Sequence, residues 1–300
     1  MNANVTVVGQ LARDLVLVLD SVLPEVGASG AVRERREQLG GKGANQAVAL
    51  AQLGARPTLV AVAGDDPFGD VLLEQARADG IDVSAVVRRS ATATGLIVEV
   101  LQEPNRWRYL EHLPEPVLLS AGDVTQADRA FGTAEAVLVQ LQQPEEAVLA
   151  ATRRAANADA LVVLDGAAPD RARDELLALA DVVRADAVEA RTLTGADSPQ
   201  QLEVAAADLV RAGPRVAALA FAEGNVFAWR GPGPNVETLT LPFGDEKVVD
   251  TTGAGDALVA ALTVALLRGV PVPDAARFAV AAAGATVGHP GGRPALLGLG

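Results

Sequence analysis

The chain has 300 residues, half of them hydrophobic but only 3% aromatic, a formal net charge of −13 and no cysteine. That length and apolar share suffice for a sizeable core in one large or two ordinary domains. The acidic balance, without any basic run, speaks against a nucleic-acid or anionic-membrane surface, and the lack of cysteine excludes disulfides and thiolate metal sites. The N-terminus has neither the basic nor the apolar region of a signal peptide, and the longest apolar stretch, Ala257 to Leu267, is too short to span a bilayer. The expectation is a cytoplasmic protein without a membrane or nucleic-acid partner.

In chain order, Val5 to Gly9 reads as a short buried strand, Leu15 to Asp20 as a second, and the more polar Ala31 to Leu39 as an edge strand. A glycine-rich loop, Gly40-Gly-Lys-Gly-Ala-Asn45, leads into an Ala-rich helix over Gln46 to Leu53, with Gly54 past its end. Thr58 to Ala63 is a strand, and Pro67 opens a helix that stops at Gly80 behind a capping Asp66. Gly95 to Leu101 and Arg106 to Glu111 form a hairpin around Glu103 to Asn105. Strands at 136–140, 160–164, 181–183 and 216–221 then alternate with helices at 144–156, 172–179, 186–193 and 199–211. Two more strands (226–230, 236–241) and two long Ala-rich helices, from about Gly253 and Pro273, complete the chain. Strands alternating with helices predict a mainly parallel sheet covered on both faces. No linker divides the chain, so 1–300 reads as one domain. The pieces near 11–39 and 92–112 break the rhythm and fit a small separate sheet.

Two glycine-rich runs stand at helix starts. In Asp250-Thr-Thr-Gly-Ala-Gly-Asp256, small residues let backbone N–H groups approach a ligand, and the helix N-terminus adds free donors and a positive dipole end. Such a turn holds an anion or the charge of a phosphoryl group in flight, and Asp256 could take a proton from an attacking hydroxyl. Read alone, the run is more simply a capped turn with Asp256 favouring the dipole. Gly40 to Asn45 lacks the spacing of a Walker A loop. Lys42 and Asn45 there supply hydrogen-bonding groups suited to a polyhydroxyl ligand, against the plainer reading of a turn with Asn45 solvated. The two histidines, His112 and His289, lie far apart and make no metal pair. Trp107 and Tyr109 could stack on a base, though packing of the small sheet against itself is the simpler role. Arg106 and Arg108 alternate on a strand of the small sheet, where they could contact the phosphate of a phosphosugar or, at least as well, serve as charges that guard a sheet edge.

Taken together, Gly40 to Ala49, Thr94-Gly95, Leu193-Thr-Gly195 and Val248 to Asp256 occur in the order found in the ribokinase branch of the PfkB carbohydrate kinase family, which this chain resembles along nearly its whole length. The resemblance implies a ribokinase-like three-layer α/β sandwich with a small β-sheet lid, and ATP-dependent phosphorylation of a hydroxymethyl group on a ribose-like sugar. It implies Asp256 as base, with Gly253, Ala254 and Gly255 as anion hole. It places the sugar on Asp14, Gly41, Lys42, Asn45 and Gln142, and the nucleotide near Asp186, Ala222, Gly224 and Gly255. It assigns Glu189 and Asp186 to Mg²⁺, and Asp250 and Thr252 to a monovalent cation, K⁺. A homodimer through the lid is a further implication.

Several positions depart from the family pattern. Ala12-Arg-Asp14 stands for an Asn-x-Asp, Gln142 for a sugar-binding Glu, Asp186 for an Asn, and Phe221 for a glycine beside the phosphates, with Glu223 adding charge there. Val280 and Ala295 replace polar residues near the adenine and the cation. Ribose itself is therefore one acceptor among several. A kinase-fold sugar-binding protein with impaired ATP use, and a nucleoside kinase of the same family, stay open beside the sugar kinase.

Overall fold

The computed structural model describes residues 2–20, 22–102, 106–231, 233, 235–288 and 291–299. The expected turn at 103–105 and His289 lie outside the described residues. The chain opens with β1 (Asn4–Val8), β2 (Ala12–Leu19), β3 (Val32–Gly40) and α1 (Lys42–Gln52). It continues through β4 (Arg56–Val60), β5 (Val62–Gly64), α2 (Pro67–Ala78), β6 (Val87–Arg89), β7 (Leu96–Gln102) and β8 (Arg106–His112). Two short helices, α3 (Ala121–Gln126) and α4 (Asp128–Gly132), precede β9 (Ala136–Gln140), α5 (Glu145–Asn157), β10 (Leu161–Asp165), α6 (Arg173–Leu179), β11 (Val182–Ala185) and α7 (Ala187–Thr194). The remainder is α8 (Pro199–Ala212), β12 (Val216–Phe221), β13 (Gly224–Arg230), β14 (Val236–Pro242), α9 (Ala254–Leu267) and α10 (Val272–Thr286).

Eight strands form one sheet in the order β14-β13-β12-β11-β10-β9-β1-β4. The pairs from β12 to β4 are parallel, and β13 and β14 add an antiparallel edge. Alternate side chains of each strand enter opposite cores. In β9, Ala136 and Leu138 join the core beneath α1, α9 and α10, whereas Val137 and Val139 join the one beneath α5, α6 and α8. The result is three layers, with Ala-rich helices packed close to a Val-rich sheet, as the low aromatic content demands. Since β1 lies between β4 and β9, the chain winds one way and then the other. That switch of direction opens a crevice at the carboxyl ends of the strands.

A second sheet, β3-β2-β7-β8, is built from the pieces that broke the sequence rhythm. β2 pairs antiparallel with β3 and parallel with β7, and β8 closes the sheet as an edge. Val16, Val18 and Leu101 form its own small core.

Most predicted elements stand within two residues of their observed bounds. The stretch 58–63 is instead two strands in different sheets, β4 and β5. α1 starts one turn earlier than the sequence signals predict. Gly41, at φ 86°, serves as its N-cap with no side-chain cap bond, so Lys42 and Asn45 lie on the helix rather than in a loop. Asp66 caps α2 as expected, accepting from Gly69 N at 2.7 Å, and also accepts from Thr94 N at 2.7 Å.

Candidate functional site

The crevice at the strand ends is a cavity of about 430 Å³ roofed by the four-stranded sheet. The body supplies Gln10 after β1, Gly41, Lys42 and Asn45 from the start of α1, Gln142 after β9, Arg184 on β11, Asp186 after it, and Thr251 to Gly253, Gly255 and Asp256 around the start of α9. The roof supplies Asp14, Ile97, Glu99, Trp107, Tyr109 and Glu111. Thus Asp14, Gly41, Lys42, Asn45, Gln142, Asp186, Thr252, Gly253, Gly255 and Asp256, singled out from sequence, share one wall-to-wall space.

Asp256 sits in the first turn of α9 and is only 5% exposed. Gly253 caps this helix at φ 74°, in the left-handed region, and the carbonyl of Gly292 occupies the place a Cβ would need. No acceptor within the described protein takes the N–H groups of Gly253, Gly255 and Asp256, whereas Ala254 N–H is directed to the Thr251 carbonyl at 3.3 Å. The turn therefore offers an anion the flanking amides rather than that of Ala254.

Around Asp256 lies a connected polar network. Gln46 Nε2 donates to Asp256 Oδ1 at 3.1 Å and to Asp165 Oδ2 at 2.8 Å, and Asn45 Nδ2 approaches Asp256 Oδ2 at 3.4 Å. Asp165 accepts from Arg184 Nη1 at 2.9 Å across adjacent strands. Lys42 Nζ donates to Glu189 Oε1 at 2.9 Å, and Gln142 Nε2 reaches the same oxygen at 3.3 Å. Burial, with the Asp165 charge, pushes the Asp256 carboxyl up to about 7, while Lys42, Arg184 and the Gln46 bond pull against it. Burial disfavours the Lys42 ammonium, but Asp165, Glu189 and Asp256 outweigh it and hold its pKa above the usual lysine value.

Asp186 and Glu189 form a capping box on α7. Asp186 Oδ1 accepts from the amides of Val188 and Glu189 at 2.9 and 2.8 Å, and Glu189 Oε2 accepts from Asp186 N at 2.9 Å. Burial raises the Glu189 carboxyl, yet Lys42 and these bonds bring it below its ordinary range. Both Glu189 oxygens are thus engaged. Among the described residues, no group of three or more His, Asp or Glu side chains is placed to hold a metal ion.

Asp250 is fully buried and does not line the cavity. Its Oδ1 accepts from Thr252 N at 2.9 Å and its Oδ2 from Gly291 N at 2.6 Å, so it fastens the C-terminal segment to the turn. Tyr109 crosses from the roof and hydrogen-bonds the Thr252 hydroxyl, which also meets Glu99 Oε1 at 3.1 Å. Tyr109 therefore reaches the turn before α9, where sequence reasoning favoured packing of the small sheet against itself. Burial and Asp250 push Glu99 up to about 7, although its bonds to Tyr109 and Thr252 oppose this.

Ala222 lies elsewhere. It lines a separate cavity of about 280 Å³ between α7, α8 and the end of β12, together with Phe221, Glu223 and Arg191. Gly224 opens β13 against Leu241 and Pro242, where a Cβ would strike backbone, so its lack of a side chain serves the β-hairpin. Val280 packs on the α9–α10 core and Ala295 is exposed.

Sequence reasoning missed Gln46, Asp165, Arg184, Glu99 and Glu111. A signal existed for two of them: Asp165 and Arg184 each put a charge into an apolar strand, in LVVLD and VVRA.

A mainly parallel sandwich with its cavity at the strand ends, a β-sheet lid above and a glycine-rich helix start below defines a phosphotransferase acting on small hydroxylated molecules. The model of the pfkB family carbohydrate kinases matches residues 2–297, and the chain belongs to that family. The ribokinase of Bacillus subtilis is 30% identical over 97% of this chain and 96% of its own length. That of Haemophilus influenzae is 28% identical over 99% and 96%. The structure of Arabidopsis thaliana ribokinase complexed with ribose and ATP superposes with a TM-score of 0.81 at 26% identity, covering 100% of this chain and 98% of that one. No helix among the described residues is long and apolar enough to cross a membrane.

Proposed function

We propose that the protein transfers the γ-phosphoryl group of ATP to a hydroxymethyl oxygen of a ribose-like sugar, with Asp256 as general base. The observation that carries this reading is a buried carboxyl, poised near neutrality, beside unengaged amides at a helix N-terminus and facing the cavity. Likeness to the Arabidopsis ribokinase, whose structure contains ribose and ATP, supports both substrates.

In this reading the sugar lies under the lid against Asp14, Gly41, Lys42, Asn45 and Gln142. Asp256 accepts the hydroxyl proton as the sugar oxygen bonds to phosphorus and the bond to the β-phosphate oxygen breaks, releasing ADP. The amides of Gly253 and Gly255 stabilise charge on the transferring group. Asp186 lines the cavity while Glu189 is tied to Lys42, which fits a Mg²⁺ ion held chiefly by phosphate oxygens and water. That ion would neutralise charge between the β- and γ-phosphates. The nucleotide extends toward Ala222 and the smaller cavity. A K⁺ ion beside Asp250 and Thr252 belongs to the same proposal, and faster turnover in K⁺ than in Na⁺ is its check. So does pairing of two copies through the lid, which sedimentation would detect.

The test is ADP release with ATP and Mg²⁺ on ribose and other pentoses. Asp256→Asn should lower kcat by at least about 100-fold, the lower range for general-base catalysis, while sugar binding is retained. Near-normal turnover of that variant would sink the assignment. A second reading, sugar binding with impaired ATP use, draws on Phe221 and Glu223 in the smaller cavity. Calorimetry separates the two, because that reading requires sugar binding without ATP binding.

A further inference from the structure

Strand register arranges the roof of the cavity in rows. Asp14 faces Ile97, which faces Glu111, and in the next row Glu99 faces Tyr109. Alternate residues of a strand share a face, and Asp14, Glu99 and Glu111 stand on the one that roofs the cavity, which all three line. Asp14 is 7% exposed, and its Oδ1 finds no hydrogen-bond donor. The space it fills is reserved, since a Cβ on Gly40 would collide with the Asp14 carboxylate. Burial first, then the charges of Glu99, Asp256, Asp250 and Glu111, pushes the Asp14 carboxyl well above the carboxylate range. The two basic side chains that line the cavity are already committed, Lys42 to Glu189 and Arg184 to Asp165.

A neutral sugar could give Asp14 a hydroxyl bond, but only a cation would offset the burial and the repulsion from Glu99 that oppose ionisation of Asp14. An ammonium group supplies three donors and a charge of the missing sign. The faces of Trp107 and Tyr109, which line the same roof, also attract a cation.

We propose that the acceptor for this site is an amine-bearing sugar, its ammonium group bonded to Asp14 and drawn by the nearby Glu99 and Glu111 while its hydroxyl is presented to Asp256. This rests on the phosphotransfer reading and names the acceptor class for it.

The test uses the full chain with ATP and Mg²⁺ on matched pairs: D-glucosamine and D-glucose, D-galactosamine and D-galactose, and 2-amino-2-deoxy-D-ribose and D-ribose. ADP release and calorimetric binding are both measured. The amine member of at least one pair should be favoured in kcat/KM by about tenfold or more, the range of a hydrogen bond to a charged partner. Glu111→Gln should bring that ratio back toward one. Turnover of neutral sugars at least as efficient as of their amines in every pair overturns the inference and leaves the kinase reading intact. Amine-selective binding without turnover of any sugar sustains the inference and removes the kinase reading. Neither turnover nor binding of any amine overturns the inference as well.

Discussion

Asp165 and Arg184 face each other on neighbouring parallel strands, and their 2.9 Å ion pair is almost wholly buried beside the candidate base. Gln46 joins Asp165 to Asp256, so the pair fixes the floor on which Asp256 is held. Breaking a buried pair by removing one partner leaves an uncompensated charge and costs about 3–5 kcal/mol. Arg184→Met should therefore lower the free energy of urea unfolding by that amount. The double change Asp165→Leu with Arg184→Met should recover most of the stability but not the activity.

The Asp256 carboxyl, raised to about 7, gives the reaction a pH signature. A base works only when ionised, so kcat/KM for a neutral sugar should fall as pH drops through 7, about tenfold per unit well below it. A profile flat from pH 5 to 8 would remove Asp256 from the role.

Glu99 should make stability pH-dependent through the same physics. Its folded carboxyl titrates near 7 against an ordinary 4.5, so the folded state retains a proton that the unfolded state has lost between those values. Its contribution is complete below 4.5 and is lost as pH rises through 7. Glu99→Gln copies the neutral acid, so the Tm of the variant relative to the parent should rise between pH 5 and pH 8.

Lys42 holds Glu189 and, with it, Gln142. Lys42→Met removes a charged donor from the cavity, and the KM for sugar should increase about tenfold to a hundredfold. The kcat should fall less than in Asp256→Asn. Steady-state kinetics on both variants tests the contrast.

The layers of the fold could be read from the sequence because Val- and Ala-rich runs alternate with capped helices, and their spacing reports which faces are covered. The site was legible where glycine cleared space, at Gly40–Gly43 and Gly253–Gly255. It was illegible where a strand boundary was drawn one or two residues short: ending β10 at Leu164 and β11 at Val183 hid Asp165 and Arg184. Glu99 and Glu111 lie on strands of the small sheet, and only tertiary placement shows that their face is a roof. The start of α1 was missed because Gly41 caps it by conformation, not by a side chain that pattern rules recognise. α3 and α4, of 6 and 5 residues, are too short to carry a helical period.

The bond from Asp250 to Gly291 has a consequence for biosynthesis. Chains fold from the N-terminus as they are made, and most of the sheet can pair before residue 291 exists. The segment that steadies the turn before α9 follows every strand of the sheet in the order of synthesis. A nascent chain that has not reached residue 291, or one cut before it, would be folded in its body yet lack that tether, so phosphotransfer would wait on the segment around Gly291.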